Sequence, residues 1–362
     1  MTDSSSATKP PASVGELVAT EVERAILRNI KGLTYFASAA PAVGQTPKDR
    51  VRSQGTYVLY HYRPVTRELY RVPVLIVMAP SNRGYVFDLA PGQSLVEFLL
   101  KQGYDVYMID WNAPRADEKS IRIEDYVLRF VPDAIDFICK DTRVHDVTVL
   151  GYCMGGVLSV IYAALQAGGP LKNLICIATP VDFSGMTHFH TWTDRRHFDV
   201  DRLVDSVGNI PPTFLVEMFR MIRPADRLAM RIRLIDNLWN DEYVAAFRRF
   251  DGWATDMLPL PGEYFRESIK ELFWEGRLIG NTLRVGGRRV DLRKIKIPLL
   301  HVIADRDHFV PYEASRRLVE SVGSRSKLEL VLNGGHVSVM AGVGAAKRVW
   351  PRLDQWLGER ST

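Results

Sequence analysis

Apolar and polar positions change their period several times along this chain, and each change marks an expected element. Leu17, Val18, Val22, Ala25, Ile26 and Ile30 recur at helical spacing, which predicts an amphipathic helix over 14–30. Ahead of it, residues 1–13 are polar and proline-broken and read as a flexible tail. Pro, Gly and polar residues over 40–55 predict a connector. From Thr56 onward, short apolar runs alternate with helical patterns. The runs at 57–62, 72–78, 105–109, 147–150 and 174–178 read as strands, and 95–102, 123–139 and 154–166 read as helices. Two further strands, at 297–304 and 327–332, precede a closing helix at 346–357. Buried runs alternating with helices predict an α/β fold, a mostly parallel sheet covered on both faces.

Between the fifth and sixth of these core strands the alternation stops. Residues 181–290 are rich in Trp, Arg, Met and Phe, with helical spacing at 212–221, 226–238, 241–250 and 263–273. The expected organisation is therefore a tail and helix over 1–45, a core over 46–180 and 291–362, and a helical cap inserted over 181–290. Composition changes this picture little. The chain has 362 residues, 46% hydrophobic and 25% charged, which excludes a disordered or collagen-like protein. Lys and Arg exceed Asp and Glu by 5, spread along the chain, so nucleic-acid binding is not indicated while an acidic substrate is accommodated. The N-terminus lacks the apolar run of a signal peptide, and no stretch approaches the roughly 18 apolar residues of a membrane span. The cytosol is the expected compartment.

The three cysteines, Cys139, Cys153 and Cys176, are too few for a disulfide framework and show no metal-site spacing. One of them stands apart. Gly151-Tyr152-Cys153-Met154-Gly155, followed by Gly156, lies between an apolar strand and a helix, the setting of a nucleophile elbow. A sharp turn there lifts the thiol above the sheet, and the Met154 amide at the helix start is placed to bind a developing oxyanion. A strand-ending Cys alone would more often be a small buried apolar residue. An elbow also needs an acid and a base later in the chain. Asp305 and Asp307 follow the strand at 297–304, and His336 follows the strand at 327–332 in a Gly-Gly-His turn. His336 is the expected general base, whereas spacing does not separate Asp305 from Asp307. His188-x-His190 has no obvious third partner for a metal. Sulfur rather than oxygen at the elbow keeps a transferred acyl group as a thioester, which suits transfer to a hydroxyl better than hydrolysis.

These residues resemble the polyhydroxyalkanoate synthases, specifically the short class III catalytic subunit (PhaC), of the α/β-hydrolase superfamily. The resemblance runs from about Tyr57 to Trp356. It rests on 74–82 (VLIVMAPSN), 105–111 (DVYMIDW), 151–156 (GYCMGG), 178–183 (ATPVDF), 198–211 (FDVDRLVDSVGNIP), 286–292 (GGRRVDL) and Asp307-His308. It implies Cys153 as the acylated nucleophile, His336 as base and, because the family's acid precedes a His, Asp307. It further implies backbone amides of Met154 and Ser81 as oxyanion donors and His308, Tyr152 and Asn82 as candidate substrate contacts. The implied substrate is an (R)-3-hydroxyacyl-CoA of short chain, with CoA as leaving group and neither cofactor nor metal. A non-catalytic PhaE-type partner subunit, a homo-oligomer and a polyester granule surface in the cytoplasm are the implied company. Arg220, Arg223, Arg231 and Arg233 could meet CoA phosphates or form a solvated helix face. Two other classes are weighed beside this one: a Cys-dependent hydrolase of a thioester or lactone, and a non-catalytic granule-surface protein.

Overall fold

A computed structural model describes residues 14–35 and 39–362 of the chain; the tail expected over 1–13 lies outside the described residues. The first helix, α1 (Val14–Tyr35), runs five residues past its expected end. The strands are β1 (Lys48–Gln54), β2 (Tyr57–Tyr62), β3 (Val74–Val77), β4 (Val106–Trp111), β5 (Val147–Tyr152) and β6 (Leu171–Ile177). After a short hairpin, β7 (Arg284–Val285) and β8 (Arg288–Arg289), come β9 (Leu299–Ala304) and β10 (Lys327–Leu332). Eight of these form one sheet in the order β1-β2-β4-β3-β5-β6-β9-β10, parallel from β4 onward and antiparallel at the β1–β2–β4 edge.

β1 was expected as connector. Its sequence KDRVRSQ has no apolar alternation because it is an exposed edge strand, bulged between Arg50 and Arg52, and charged residues protect such an edge from further pairing. By contrast, β3, β5 and β9 are buried along their whole length, as their unbroken apolar runs require.

The covering helices follow the strands. They are α2 (Leu95–Lys101), α3 (Ile123–Asp125) continuing through a π-turn into α4 (Val131–Thr142), and α5 (Met154–Leu165). Ser94 caps α2 by accepting from the Glu97 amide at 2.9 Å. Every residue of α5 from Gly155 to Leu165 is buried, so this helix is apolar on all sides. Between β6 and β9 the chain is largely helical: α6 (Thr187–Trp192), α7 (Val200–Val207), α8 (Pro212–Arg220), α9 (Pro224–Asp236), α10 (Asp241–Thr255) and α11 (Gly262–Glu267), which runs on as a π-helical turn to Trp274. Past β9 come α12 (Tyr312–Ser315), α13 (Arg317–Ser321), α14 (Val343–Arg348) and α15 (Trp350–Gly358); the last two stand where one helix was expected. Among the described residues no helix is long and apolar enough to cross a membrane.

Two compact units emerge. One joins the described residues up to Pro41 with Arg223–Asp251, and the other joins Ala42–Ile222 with Gly252–Thr362. The sequence grouped 181–290 together and set 1–45 apart; in the structure α9 and most of α10 go with α1. Within that first unit, Lys31 Nζ pairs with Asp241 at 2.6 Å.

Candidate active site

The site is built at the C-terminal ends of the central strands, where open α/β sheets place their chemistry. At the end of β5 the backbone turns through Cys153 with φ 52° and ψ −121°. A non-glycine residue pays roughly 1–3 kcal/mol to hold such a conformation. The turn is fixed from both sides: the Cys153 amide donates to the Ile177 carbonyl at 2.9 Å, and the Cys153 carbonyl accepts from Val157 at 3.2 Å. Two glycines make the turn sterically open. A Cβ on Gly151 would come within 2.5 Å of the Gly156 Cα, and one on Gly155 would run into the Val77 carbonyl oxygen at the end of β3. Cys153 is left partly exposed, whereas Cys176 is buried inside β6.

His336 and Asp307 meet from two loops laced together by backbone. Arg306 N–H donates to Gly334 O at 3.0 Å and Asp305 N–H to Leu332 O at 2.9 Å. His336 Nδ1 lies 2.6 Å from Asp307 Oδ2. The other oxygen of Asp307 accepts from the amides of Phe309 and Val310 at 2.9 and 2.8 Å, which fixes the carboxylate in place. Asp307 is buried; Asp305 is exposed and accepts from the Gly334 amide at 3.0 Å, a brace for the histidine turn. The ambiguity that spacing left between the two aspartates is thus removed by geometry: only Asp307 reaches the imidazole.

Electrostatics follow from this enclosure. Burial disfavours a charged His336, but the Asp307 carboxylate and then the Cys153 sulfur outweigh it and raise its pKa to about 10. An imidazolium there is held by the Asp307 carboxylate. The other two thiols are held protonated by burial: that of Cys139 is raised and that of Cys176 is pushed up to about 12. Cys139 Sγ donates to the His145 carbonyl at 3.2 Å.

Met154 is the first residue of α5, so its amide has no acceptor within the helix and remains available to an anion. Ser81 lies on the loop after β3, and that loop is held on two sides. Trp111 Nε1 donates to the Met78 carbonyl at 3.0 Å, and the Leu258 amide donates to the Ser81 carbonyl at 2.8 Å. Asn82 accepts from Ser81 Oγ at 3.4 Å. Tyr152 is buried beneath the site, its ring 5.1 Å from that of His336 and edge-on to Phe87 at 5.8 Å. His308 is exposed. Arg220 and Arg223 form ion pairs with Glu217 and Asp226, one turn along the chain.

Three features of the site were not foreseen. Phe309 packs its ring 5.5 Å from His336. The segment 253–258 clamps the loop after β3: Trp253 Nε1 donates to Arg83 O at 2.9 Å, Arg83 pairs with Asp256 at 3.4 Å, and Tyr85 OH donates to Asp256 at 3.2 Å. Tyr264, fully enclosed, has its phenol pKa raised first by burial and then by its electrostatic interaction with Cys153. All three are contacts between segments far apart in the chain, which periodicity does not register.

Comparison with known proteins places this geometry. Residues 87–343 match the alpha/beta hydrolase fold family, and residues 39–99 match the poly-beta-hydroxybutyrate polymerase (PhaC) N-terminus family. The chain is 33% identical to the poly(3-hydroxyalkanoate) polymerase subunit PhaC of Thiocystis violacea, over 88% of this chain and 90% of that one. It is 32% identical to the subunit of the same name from Haloferax mediterranei, spanning 88% of this chain and 65% of that longer protein. Among solved structures, a monoglyceride lipase from Saccharomyces cerevisiae shares the fold with a TM-score of 0.55 at 13% identity, over 90% of this chain and 100% of that one. On its sequence relatives and its fold, the chain belongs to the poly(3-hydroxyalkanoate) polymerase PhaC family of α/β hydrolases.

Proposed function

We propose that this chain polymerises short (R)-3-hydroxyacyl-CoA thioesters into polyester with release of CoA, using Cys153, His336 and Asp307 as a nucleophile–base–acid triad. Cys153 gives its thiol proton to Nε2 of His336 as its sulfur adds to the thioester carbonyl, and the negative charge that develops on the carbonyl oxygen meets the amides of Met154 and Ser81. The carbon–sulfur bond to CoA then breaks, and His336 returns the proton to the departing CoA thiolate. In the elongation step the hydroxyl of one acyl group attacks the carbonyl of a second thioester. His336 takes the hydroxyl proton, the new carbon–oxygen bond forms, the carbon–sulfur bond breaks, and the proton passes to the leaving sulfur. Asp307 holds Nδ1 of His336 so that Nε2 is the nitrogen that exchanges protons. Neither cofactor nor metal enters these steps.

The observation that supports this reading is a thiol, rather than a hydroxyl, on a strained elbow beside a His–Asp pair in a chain of the PhaC family. The chain is further proposed to work in the cytoplasm at the polyester granule surface, as a homo-oligomer and with a non-catalytic helical partner subunit of the PhaE type. Asn82, His308 and Tyr152 keep different places in the reading. Asn82 and His308 can meet substrate from the surface, while Tyr152 supports the His336 ring from beneath. The test is incubation with (R)-3-hydroxybutyryl-CoA. CoA release together with insoluble polyester is expected; 3-hydroxybutyrate as the sole acyl product would make the chain a hydrolase instead, and no CoA release with or without a partner subunit would leave a granule-surface protein.

A further inference from the structure

An apolar pocket of about 570 Å³ opens between the end of α6 and α8, with Trp192, Phe198, Phe214 and Met218 in its walls and Glu217 and Met221 at its rim. Its size falls in the range of small-molecule sites, about 300–1,000 Å³. It is not isolated from the catalytic groups. The His336 ring lies 5.5 Å from Phe309, which lies 5.4 Å from Phe219. Phe219 in turn lies 5.6 Å from Phe189, whose ring is 5.8 Å from Trp192 in the pocket wall. Phe219 also neighbours Met218 on α8. An unbroken series of aromatic rings therefore leads from the base to the pocket, and the pocket's rim reaches solvent at Met221, which is 54% exposed.

The lining says what such a pocket would hold. Aromatic and thioether surfaces favour aliphatic, uncharged matter. The one carboxylate at the rim, Glu217, is paired with Arg220 one turn on, so the mouth presents no net positive charge to the phosphates of CoA. A polyester of 3-hydroxyacyl units has aliphatic side groups and ester carbonyls, and no charge along its length. We propose that this pocket binds the elongating polyester chain as it leaves the catalytic cysteine, with Phe219 as the ring between pocket and site. The proposal rests on the polymerase reading, and its test separates the two.

Unmodified protein is first given (R)-3-hydroxybutyryl-CoA; failure to form polyester at this stage would count against the polymerase reading alone. With polymer formed, the product length is compared between the parent and Met218→Trp, which fills the pocket. Removing apolar burial for the bound chain is expected to release it earlier and shorten the product roughly tenfold. Product of parental length would overturn the proposal. A second measurement needs no variant: a CoA thioester of a 3-hydroxybutyrate trimer bearing a terminal diazirine is loaded on the parent and photolysed. Label on peptides covering 192–198 or 212–221 is the expected result. Label confined to other segments, or equal labelling of the pocket by a monomeric diazirine acyl-CoA, would overturn it. The photolabelling decides the matter if Met218→Trp does not fold.

Discussion

Cys153 holds a left-handed backbone conformation that its side chain makes costly, and the surrounding hydrogen bonds and close glycines compel it to stay there. Replacing the thiol by a residue that adopts this conformation freely should relieve the strain. Cys153→Gly is therefore expected to unfold at higher denaturant than Cys153→Ala, by about 1 kcal/mol, with both variants inactive. Equal stability of the two would show that the turn stores no strain. Asp307→Asn keeps the shape of the carboxylate but removes its charge and favours the wrong imidazole tautomer; its turnover should fall by about 10⁴, and His336→Gln should abolish it. The raised pKa of His336 has a stability consequence of definite sign. A group whose pKa is about 10 when folded and 6.5 when unfolded stabilises the fold fully below pH 6.5, and that contribution is lost as pH rises toward 10. The difference in Tm between the parent and His336→Gln, followed by calorimetry across that window, should therefore shrink as pH increases. Iodoacetamide at pH 7 should modify Cys153 well ahead of Cys139 and Cys176, whose thiols burial keeps protonated; peptide mapping reads the result.

At the scale of elements, the elbow works because β3, β5 and α5 approach one another more closely than side chains allow. Gly155→Ala would force a methyl against the Val77 carbonyl and the Met78 backbone, neither of which is a flexible chain end. A loss of about 1–3 kcal/mol is expected in urea unfolding, together with loss of activity as the elbow shifts. This element was legible in the sequence because the glycines flank a short apolar run that ends in a helix start. The central strands were legible for the same physical reason: burial on both faces leaves an unbroken apolar run. β1 was hidden because an exposed edge strand needs no apolar alternation and gains from charge. The π-turn at Tyr126–Phe130 and the division of the last helix into α14 and α15 were hidden because an apolar period of 3.6 continues across such breaks. The choice of Asp307 over Asp305 was invisible to spacing and needed either family resemblance or the fold of the two loops.

At the scale of the whole molecule, the ends of the sheet carry Cys153 and the loop of His336, while residues returning from the helical insertion hold the loop that follows β3. The Leu258 amide on the Ser81 carbonyl, the Trp253 indole on the Arg83 carbonyl, and Asp256 between Arg83 and Tyr85 all act on one short stretch. Those contacts join segments some 170 residues apart, which is why no local pattern in either one announces them. Their consequence is mechanical: if Ser81 supplies an oxyanion amide, its peptide plane is set from the insertion rather than from its own strand. Trp253→Phe keeps the apolar ring but deletes the indole donor to Arg83. A single lost hydrogen bond should cost about 1 kcal/mol of stability, a modest fall in Tm. Turnover should fall further than that, through kcat rather than KM, because an oxyanion donor acts on the transition state more than on the bound substrate. The rate of Cys153 alkylation, which needs no oxyanion donor, should stay close to that of the parent. A kcat that follows only the change in Tm, or an alkylation rate that falls in step with kcat, would mean that the insertion stabilises the fold without tuning the site.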